Sequence, residues 1–373
     1  MKKHFYGIML VAFAVLCSAG YSAAETTKLI YANYISIKQP TNKALIDYFA
    51  AVEKDTNGSV VWEPHFASAL LGPKDIPAGV RDGIADAGYF VGVYVPSEMP
   101  VDNYIGDFSM MNDDTLAMTG VNNELILLEC EECDNEYREG FDTQFLATYA
   151  LTDYVFQCKD ELHSLADFKG KKIRGFSAWT SLIKELGAVP VSVSSNEMYE
   201  ALDRGIIDCA MFAISGQQTR SLGELAKNTV LNSLGGFMGA SMINLRTEKW
   251  DALTSSERTV LLKHLPHLIA STAFNNGVYL DAEVREKMEE KGNKFYMADE
   301  EVGKIITDFR VNYVKSDAIE QGKKRGVKNP EKIAAKIVEL RAKWDKLLAE
   351  NGRDQATFER LLWEQIYSKV SVK

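Results

Sequence analysis

The chain has 373 residues, of which 46% are hydrophobic, and it carries 42 lysines and arginines against 52 aspartates and glutamates, a formal net charge of −10. The acidic balance argues against binding to nucleic acid or to anionic lipid. The length exceeds what one ordinary hydrophobic core organises and predicts two domains.

The first 24 residues have the three parts of an export signal. Two N-terminal lysines precede an apolar run over 7–16, and small residues at 22–24 are typical of a signal-peptidase site. We therefore expect cleavage near Ala24 and a periplasmic mature chain. A lipid anchor on Cys17 is the alternative, although no small residue directly precedes this cysteine. No later run is long and apolar enough to span a bilayer, so no stable membrane insertion is expected.

Strand-like and helix-like segments alternate through the first two thirds of the chain. Thr41 is a candidate cap for a helix that Asn57 and Gly58 end, and 194–197 reads as a capping box for a helix that stops at Gly205. Further helices are predicted over 116–128 and 180–186. Alternation of this kind predicts parallel sheets with crossover helices. The predicted strands are 28–34, 59–66, 86–91, 154–158, 172–176, 189–193 and 206–212.

Four cysteines follow the predicted signal. An even number in an exported protein predicts disulfides, with three pairings open. Two of the cysteines form a C-x-x-C motif surrounded by acidic residues, which oppose the lowered thiol pKa of a redox site. A thiol oxidoreductase is therefore only an alternative, and no metal-ligand set accompanies the motif. The disulfide candidates are Cys130, Cys133, Cys158 and Cys209.

Arg174 lies near the C-terminal end of a predicted strand, shortly before a predicted helix. In open α/β sheets, ligands bind beyond the C-terminal ends of the strands, and a helix N-terminus there favours an anion. An arginine at that point can hold a carboxylate through two parallel hydrogen bonds. The pattern indicates a carboxylate site, and an ion pair with a surface acid is the alternative.

Five segments in order resemble the solute-binding subunits of TRAP transporters, the DctP family. The resemblance covers roughly residues 27 to 260. It rests on EKDTNG (53–58), LG with VRDGIAD (71–86), DFKGKKIR (167–174), LGAVPV (186–191) and EMYEALDRGIID (197–208).

This resemblance implies a binding protein rather than an enzyme, with no cofactor. It implies an α/β fold of the periplasmic binding protein (Venus-flytrap) type, with two lobes, hinge segments and a long lobe-spanning helix. The lobes would close on a small organic acid and deliver it to the TRAP membrane subunits. The family arginine that matches Arg174 holds the ligand carboxylate. A sensing protein for a membrane receptor would share this fold and pocket and stays an alternative.

Two departures from the family pattern affect the expected ligand. Sialic-acid-type members have a second arginine on the preceding strand, whereas 150–156 has none, and Phe212 stands near the place of an asparagine. One positive charge favours a monocarboxylate with an apolar or aromatic body, or an α-keto or α-hydroxy acid, since a second buried carboxylate would need its own partner. Some of the candidates could instead be core. The candidate ligand-binding residues are Arg174, Trp179, Phe212, Phe237, Tyr89, Asn33 and Ser177.

The family pattern assigns 25–150 plus about 238–278 to a first lobe, and 151–237 plus about 279–373 to a second. Apolar residues from Ile333 to Leu347 recur at spacings of four and three after Pro330. This spacing predicts a C-terminal helical extension packed across the second lobe, with a dimer seam as the alternative. We expect a monomer.

Overall fold

A computed structural model describes residues 26–372, apart from the side chain of Lys315. The predicted signal peptide and the alternative lipid anchor at Cys17 lie outside these residues. Strands and helices alternate as expected in the first two thirds, and the last third is mainly helical. Across the described range, no helix has both the length and the apolar character needed to cross a membrane.

The described residues form eleven strands. They are β1 (Thr27–Ala32), β2 (Val60–His65), β3 (Ala87–Val91), β4 (Thr143–Tyr149), β5 (Tyr154–Cys158), β6 (Lys172–Arg174), β7 (Val189–Val191), β8 (Cys209–Ala213), β9 (Asn228–Val230), β10 (Ala240–Arg246) and β11 (Lys294–Tyr296).

The described residues also form sixteen α-helices. They are α1 (Pro40–Asp55), α2 (Ile76–Arg81), α3 (Pro100–Asp107), α4 (Thr115–Glu124), α5 (Glu131–Phe141), α6 (Leu165–Phe168), α7 (Trp179–Glu185), α8 (Met198–Asp203), α9 (Gly216–Thr219), α10 (Thr247–Ala252), α11 (Ser255–Ala273), α12 (Tyr279–Glu290), α13 (Glu300–Asn312), α14 (Ala318–Lys324), α15 (Pro330–Asn351) and α16 (Gln355–Gln365). The predicted cap at Thr41 is wrong, because Gln39 precedes the helix and Pro40 takes its first position.

Two separate sheets form the lobes. The first has the order β2-β1-β3-β10-β4 and the second β11-β9-β5-β8-β6-β7. Both are mixed, so the prediction of wholly parallel sheets is wrong. The chain leaves the first lobe through β4 and returns through β10, and these two strands pair antiparallel. In the second lobe, the strand that follows β4 is β5 and the strand that precedes β10 is β9, and these two also pair antiparallel. The chain thus crosses between the lobes twice, from β4 to β5 and from β9 to β10, in opposite directions, which accounts for the antiparallel pairs.

A long helix also joins the lobes. Helix α11 continues through a π-helical stretch, Phe274–Val278, into α12. Near its start it packs on α1 of the first lobe, where Tyr48 donates a hydrogen bond to the Leu261 carbonyl. Past the π-helical stretch, Asp281 accepts a hydrogen bond from the Ser215 backbone of the second lobe at 2.6 Å. The predicted two-lobed fold with a lobe-spanning helix is confirmed.

The C-terminal helix packs on the first lobe, so the prediction that it lies across the second lobe is wrong. Trp344 of α15 lies against Gly120 of α4, where an added Cβ would come within 2.3 Å of the indole ring. Its Nε1 donates to Glu124 at 2.9 Å. Further along, the Tyr367 hydroxyl donates to the Leu146 carbonyl of β4 at 2.9 Å. The apolar spacing predicted the helix correctly, but it does not say which surface the helix covers.

Both disulfides form, and the structure selects one of the three pairings. Cys130 pairs with Cys133, and Cys158 pairs with Cys209. The second pair joins facing positions of β5 and β8 and closes a loop of 51 residues, whereas the first spans only 3. A disulfide restricts the unfolded chain more when the loop is longer. The two bonds should therefore differ in what they contribute to stability.

Replacing both Cys158 and Cys209 by alanine should lower the free energy of unfolding by about 4 kcal/mol, the chain-entropy value for a loop of this length. The matched control replaces Cys130 and Cys133 by alanine and should cost less than about 2 kcal/mol on the same basis. Urea unfolding of both variants under oxidising conditions measures the difference. Equal costs, or a larger cost for the C-x-x-C pair, would contradict this assignment of their roles.

Candidate functional site

A cavity of about 40 Å³ lies between the two lobes. One water molecule needs about 10–15 Å³, so the cavity has room for a few waters, and the lobes stand close together around it. The first lobe contributes side chains that include Tyr34, Tyr89 and Tyr149, and the second lobe contributes side chains that include Arg174 and Phe212. The described lining contains no aspartate or glutamate, in contrast to the acidic chain as a whole.

Arg174 reaches the cavity from the C-terminal end of β6. Only 1% of its surface is exposed. Its Nε donates to the Val193 carbonyl at 3.0 Å, and Nη1 donates to the Met211 carbonyl at 2.8 Å. The guanidinium lies over Phe176, with Cζ 4.8 Å from the ring centroid. These contacts fix the orientation of the guanidinium and leave Nη2 without a hydrogen-bond partner among residues 26–372.

No carboxylate of the described chain forms an ion pair with Arg174. A buried cation is costly unless an anion compensates it. The side chain is held by two backbone carbonyls and faces a cavity, an arrangement in which a guanidinium can bind a carboxylate.

Arg220 also lines the cavity, and sequence reasoning missed it. It follows α9, eight residues after Phe212, with its Cζ 5.6 Å from the centroid of the Phe212 ring. Its Nε is buried and finds no hydrogen-bond partner among the described residues. The expectation of a single positive charge is therefore wrong. Arg220 lies outside the five family segments. In the sequence it is distinguished only by its place, eight residues after the end of the predicted strand 206–212.

The structure places four of the predicted ligand-binding residues at the cavity: Arg174, Phe212, Phe237 and Tyr89. Their contact with a ligand stays a prediction.

The other three predicted residues do not reach the cavity. Trp179 is fully buried behind it, stacked on Tyr154 at 5.3 Å, and its Nε1 donates to the Leu234 carbonyl. Asn33 holds the start of α1, since its Nδ2 donates to Asn42 and its Oδ1 accepts from the Ile35 amide. Ser177 donates instead to Asp107 of the first lobe. These three side chains therefore pack or form hydrogen bonds around the cavity and do not line it.

Tyrosines supply most of the hydroxyl groups around the cavity, and only Tyr89 was predicted. The Tyr89 hydroxyl donates to Tyr149 at 3.2 Å, and the Asn276 amide also donates to Tyr149 at 3.3 Å. Burial raises the pKa of Tyr34, Tyr89 and Tyr154 above the ordinary value. These phenols therefore stay neutral and can donate hydrogen bonds to a ligand.

Direct contacts hold the two lobes together around the cavity. The Ser195 amide donates to the Tyr94 hydroxyl at 2.9 Å, and Gln39 donates to the Thr219 carbonyl at 2.5 Å. Asp107, which is fully buried, accepts from Ser177 and also pairs with Arg325 just after α14. The lobes are thus joined by polar contacts as well as by the covalent crossings.

Comparisons with known proteins agree with this architecture. The family model of bacterial extracellular solute-binding proteins, family 7 (DctP), matches residues 31–310. The C4-dicarboxylate-binding periplasmic protein DctP of Rhodobacter capsulatus is 31% identical over 114 residues, a match that spans 30% of this chain and 33% of that protein. The chain thus matches about a third of that curated relative.

Three solved structures have the same fold. A TRAP solute-binding protein from Rhodoferax ferrireducens, with copurified benzoate, superposes with a TM-score of 0.72 at 20% identity. A marine metagenome protein specific for aromatic acids, with 3-hydroxybenzoate, gives 0.74 at 20% identity. A protein from Bordetella bronchiseptica with bound mandelate gives 0.71 at 19% identity. Each comparison covers 86% of this chain and 99% of the other.

The match to the family model extends over most of the chain and includes both crossings between the lobes. Its members are solute-binding proteins rather than enzymes. The two-lobed fold, the arginine at the end of β6 and the cavity between the sheets are in keeping with that description. This chain belongs to the DctP family of bacterial extracellular solute-binding proteins.

Proposed function

We propose that this chain is the periplasmic solute-binding subunit of a TRAP transporter and that it captures a small organic acid by closure of its two lobes. The observation that carries the proposal is Arg174, a buried cation that faces the interlobe cavity and has no acidic partner in the part of the chain that the structure describes. A ligand carboxylate would offset the desolvation of this guanidinium through charge-assisted hydrogen bonds.

The walls of the cavity favour an acid with an apolar or aromatic body. Phe176, Phe212 and Phe237 provide ring surface beside the arginine. The neutral tyrosine hydroxyls of the first lobe can accept or donate to a keto or hydroxy group, so an α-keto or α-hydroxy acid also fits. The three similar structures hold benzoate, 3-hydroxybenzoate and mandelate, which are aromatic carboxylates, and this supports the same class here.

Closure would follow from contacts that the ligand makes only when the lobes come together. The carboxylate would bind Arg174 of the second lobe, while the body would meet Tyr34 and Tyr89 of the first. A ligand favours the closed arrangement only by its extra contacts there. The membrane subunits would then recognise the closed shape and receive the acid.

Titration calorimetry with benzoate, cyclohexanecarboxylate, mandelate and pyruvate tests this proposal, with benzamide as the neutral match for benzoate. At least one acid should bind, and benzamide should bind at least about 30-fold more weakly than benzoate, the cost of leaving one buried charge unpaired. Failure of every acid to bind would refute the proposed function. Equal affinity for benzoate and benzamide would refute the role of Arg174.

A further inference from the structure

The turn between β6 and α7 is anchored to the opposite lobe. In this turn Ser177 donates a hydrogen bond to Asp107, the last residue of α3 in the first lobe. The residue before it, Phe176, lines the cavity and lies beside the Arg174 guanidinium, with Cζ 4.8 Å from its ring centroid. A carboxylate of the first lobe thus holds the segment of the second lobe that carries one wall of the cavity.

The backbone of Ser177 is strained. Its φ is +49°, in the left-handed region that a residue other than glycine, asparagine or aspartate seldom occupies. Inside the turn, the Ser177 carbonyl accepts a hydrogen bond from the Thr180 amide at 3.1 Å. A strained conformation of this kind persists where surrounding contacts hold it, and the hydroxyl bond to Asp107 is a contact that reaches the other lobe.

Asp107 is itself held in place by the C-terminal part of the chain. Its side chain is fully buried, and Arg325, which follows α14, donates to both carboxylate oxygens. Burial and the neighbouring Asp107 carboxylate raise the pKa of Tyr313, so this phenol stays protonated beside it. Helix α14 also packs on α3, which ends at Asp107. The carboxylate therefore has a fixed place and an ionic partner that do not depend on Ser177.

We propose that Asp107 is a positioning residue of the ligand site, which fixes the turn of Ser177 and Phe176 across the lobe boundary when the lobes close. The inference rests on the proposed function, because it takes the cavity beside Arg174 as the ligand site and lobe closure as the binding step. It adds that the first lobe completes a wall that belongs to the second.

Separation of the lobes breaks this anchor, since a hydrogen bond weakens steeply with distance. The turn is then free to leave its strained conformation, and Phe176 moves with it. The contact between Phe176 and the ligand body is therefore formed in full only in the closed arrangement. A ligand stabilises closure through contacts of this kind, so loss of the anchor should make the closed complex open and release its solute sooner.

Ser177→Ala and Ser177→Gly in the mature protein test the inference. Both remove the hydroxyl, but glycine adopts a positive φ without strain, whereas alanine does not. Each variant should bind about tenfold more weakly than the unaltered protein, the smaller end of the effect of one hydrogen bond to a charged group. The loss should lie in a faster dissociation rate, with no fall in the association rate. Stopped-flow fluorescence with the acid that binds the unaltered protein most tightly measures both rates.

Ser181→Ala is the matched control, because Ser181 is an exposed serine of α7 on the same lobe. It should bind and release the acid normally. Full affinity in Ser177→Gly would mean that the backbone conformation matters and the anchor does not, which overturns the inference. Unchanged dissociation in both Ser177 variants would do the same and leave the proposed function standing. If no acid binds the unaltered protein, both fail.

Asp107→Asn tests the other partner of the anchor. Asparagine keeps the shape of the side chain but removes the charge that Ser177 and Arg325 share. If Asp107 acts through Ser177, the double variant Asp107→Asn/Ser177→Ala should lose less binding free energy than the two single variants together, because contacting residues are not additive. Additive losses would show that the two residues act separately and would overturn the assignment. If Asp107→Asn does not fold, the two Ser177 variants decide.

Discussion

Arg174→Ala is expected to weaken acid binding by a factor of about 30 to several thousand, the consequence of removing one partner of a buried charge pair worth about 2–5 kcal/mol. The side chain is 1% exposed and is the only arginine that the predicted carboxylate motif supplies to the cavity. Calorimetry with the acid that binds the unaltered protein most tightly measures the loss. Far-ultraviolet circular dichroism should show that the variant stays folded.

Arg174→Lys separates charge from geometry. Lysine keeps the positive charge but cannot make the backbone bonds to Val193 and Met211 while also holding a carboxylate through two parallel hydrogen bonds. Its affinity should fall between those of the unaltered protein and the alanine variant. Arg204→Ala, at an exposed arginine on the same lobe, should bind normally. An alanine variant of Arg174 with unchanged affinity would exclude this residue as the carboxylate site.

Trp344→Ala is expected to lower the free energy of unfolding by about 3–5 kcal/mol, the usual cost of truncating a large buried aromatic side chain. The indole is fully buried, lies against Gly120 of α4 and donates to Glu124, which is itself buried. Removing the indole would leave a cavity and take one hydrogen bond from an almost inaccessible carboxylate. Urea unfolding followed by circular dichroism measures the change.

Trp363→Ala is the matched control for this prediction. Trp363 lies on the neighbouring helix α16 and is 37% exposed. Its replacement should cost about 1 kcal/mol or less, as for most exposed substitutions. Similar costs at Trp344 and Trp363 would mean that the C-terminal helices contribute little to the core of the first lobe.

Local sequence patterns predicted the elements around the carboxylate site well. The strand predicted over 154–158 is β5, and the helix predicted over 180–186 is shifted by one residue from α7. In contrast, the sequence pattern did not predict β4. All seven of its residues are buried, so the strand lacks the alternation of apolar and polar residues that marks a strand with one exposed face. Strands β6, β7, β9 and β11 have three residues each, too few to show a period. Of these, only β6 and β7, which lie within the family segments, were predicted.

The candidate site shows the same division between local and non-local information. Arg174 could be located because a strand and the following helix place it at the edge of a sheet. The sequence could not show whether Trp179 lines the cavity or belongs to the core, since an indole is common in both places. Its packing on Tyr154 places it in the core. Arg220 depends on the turn after α9, and the surface covered by Trp344 depends on the fold of the whole chain.

The contacts between the lobes around Ser177, Ser195 and Gln39 have a consequence for the empty receptor. They involve no solute, so they lower the free energy of the closed arrangement whether or not an acid is present. Because these contacts already supply part of the free energy of lobe closure, the apparent affinity for the solute rises. The fraction of solute-free molecules that are closed rises for the same reason. If the membrane subunits recognise the closed shape, as proposed above, these solute-free closed molecules would compete with loaded ones for the transporter.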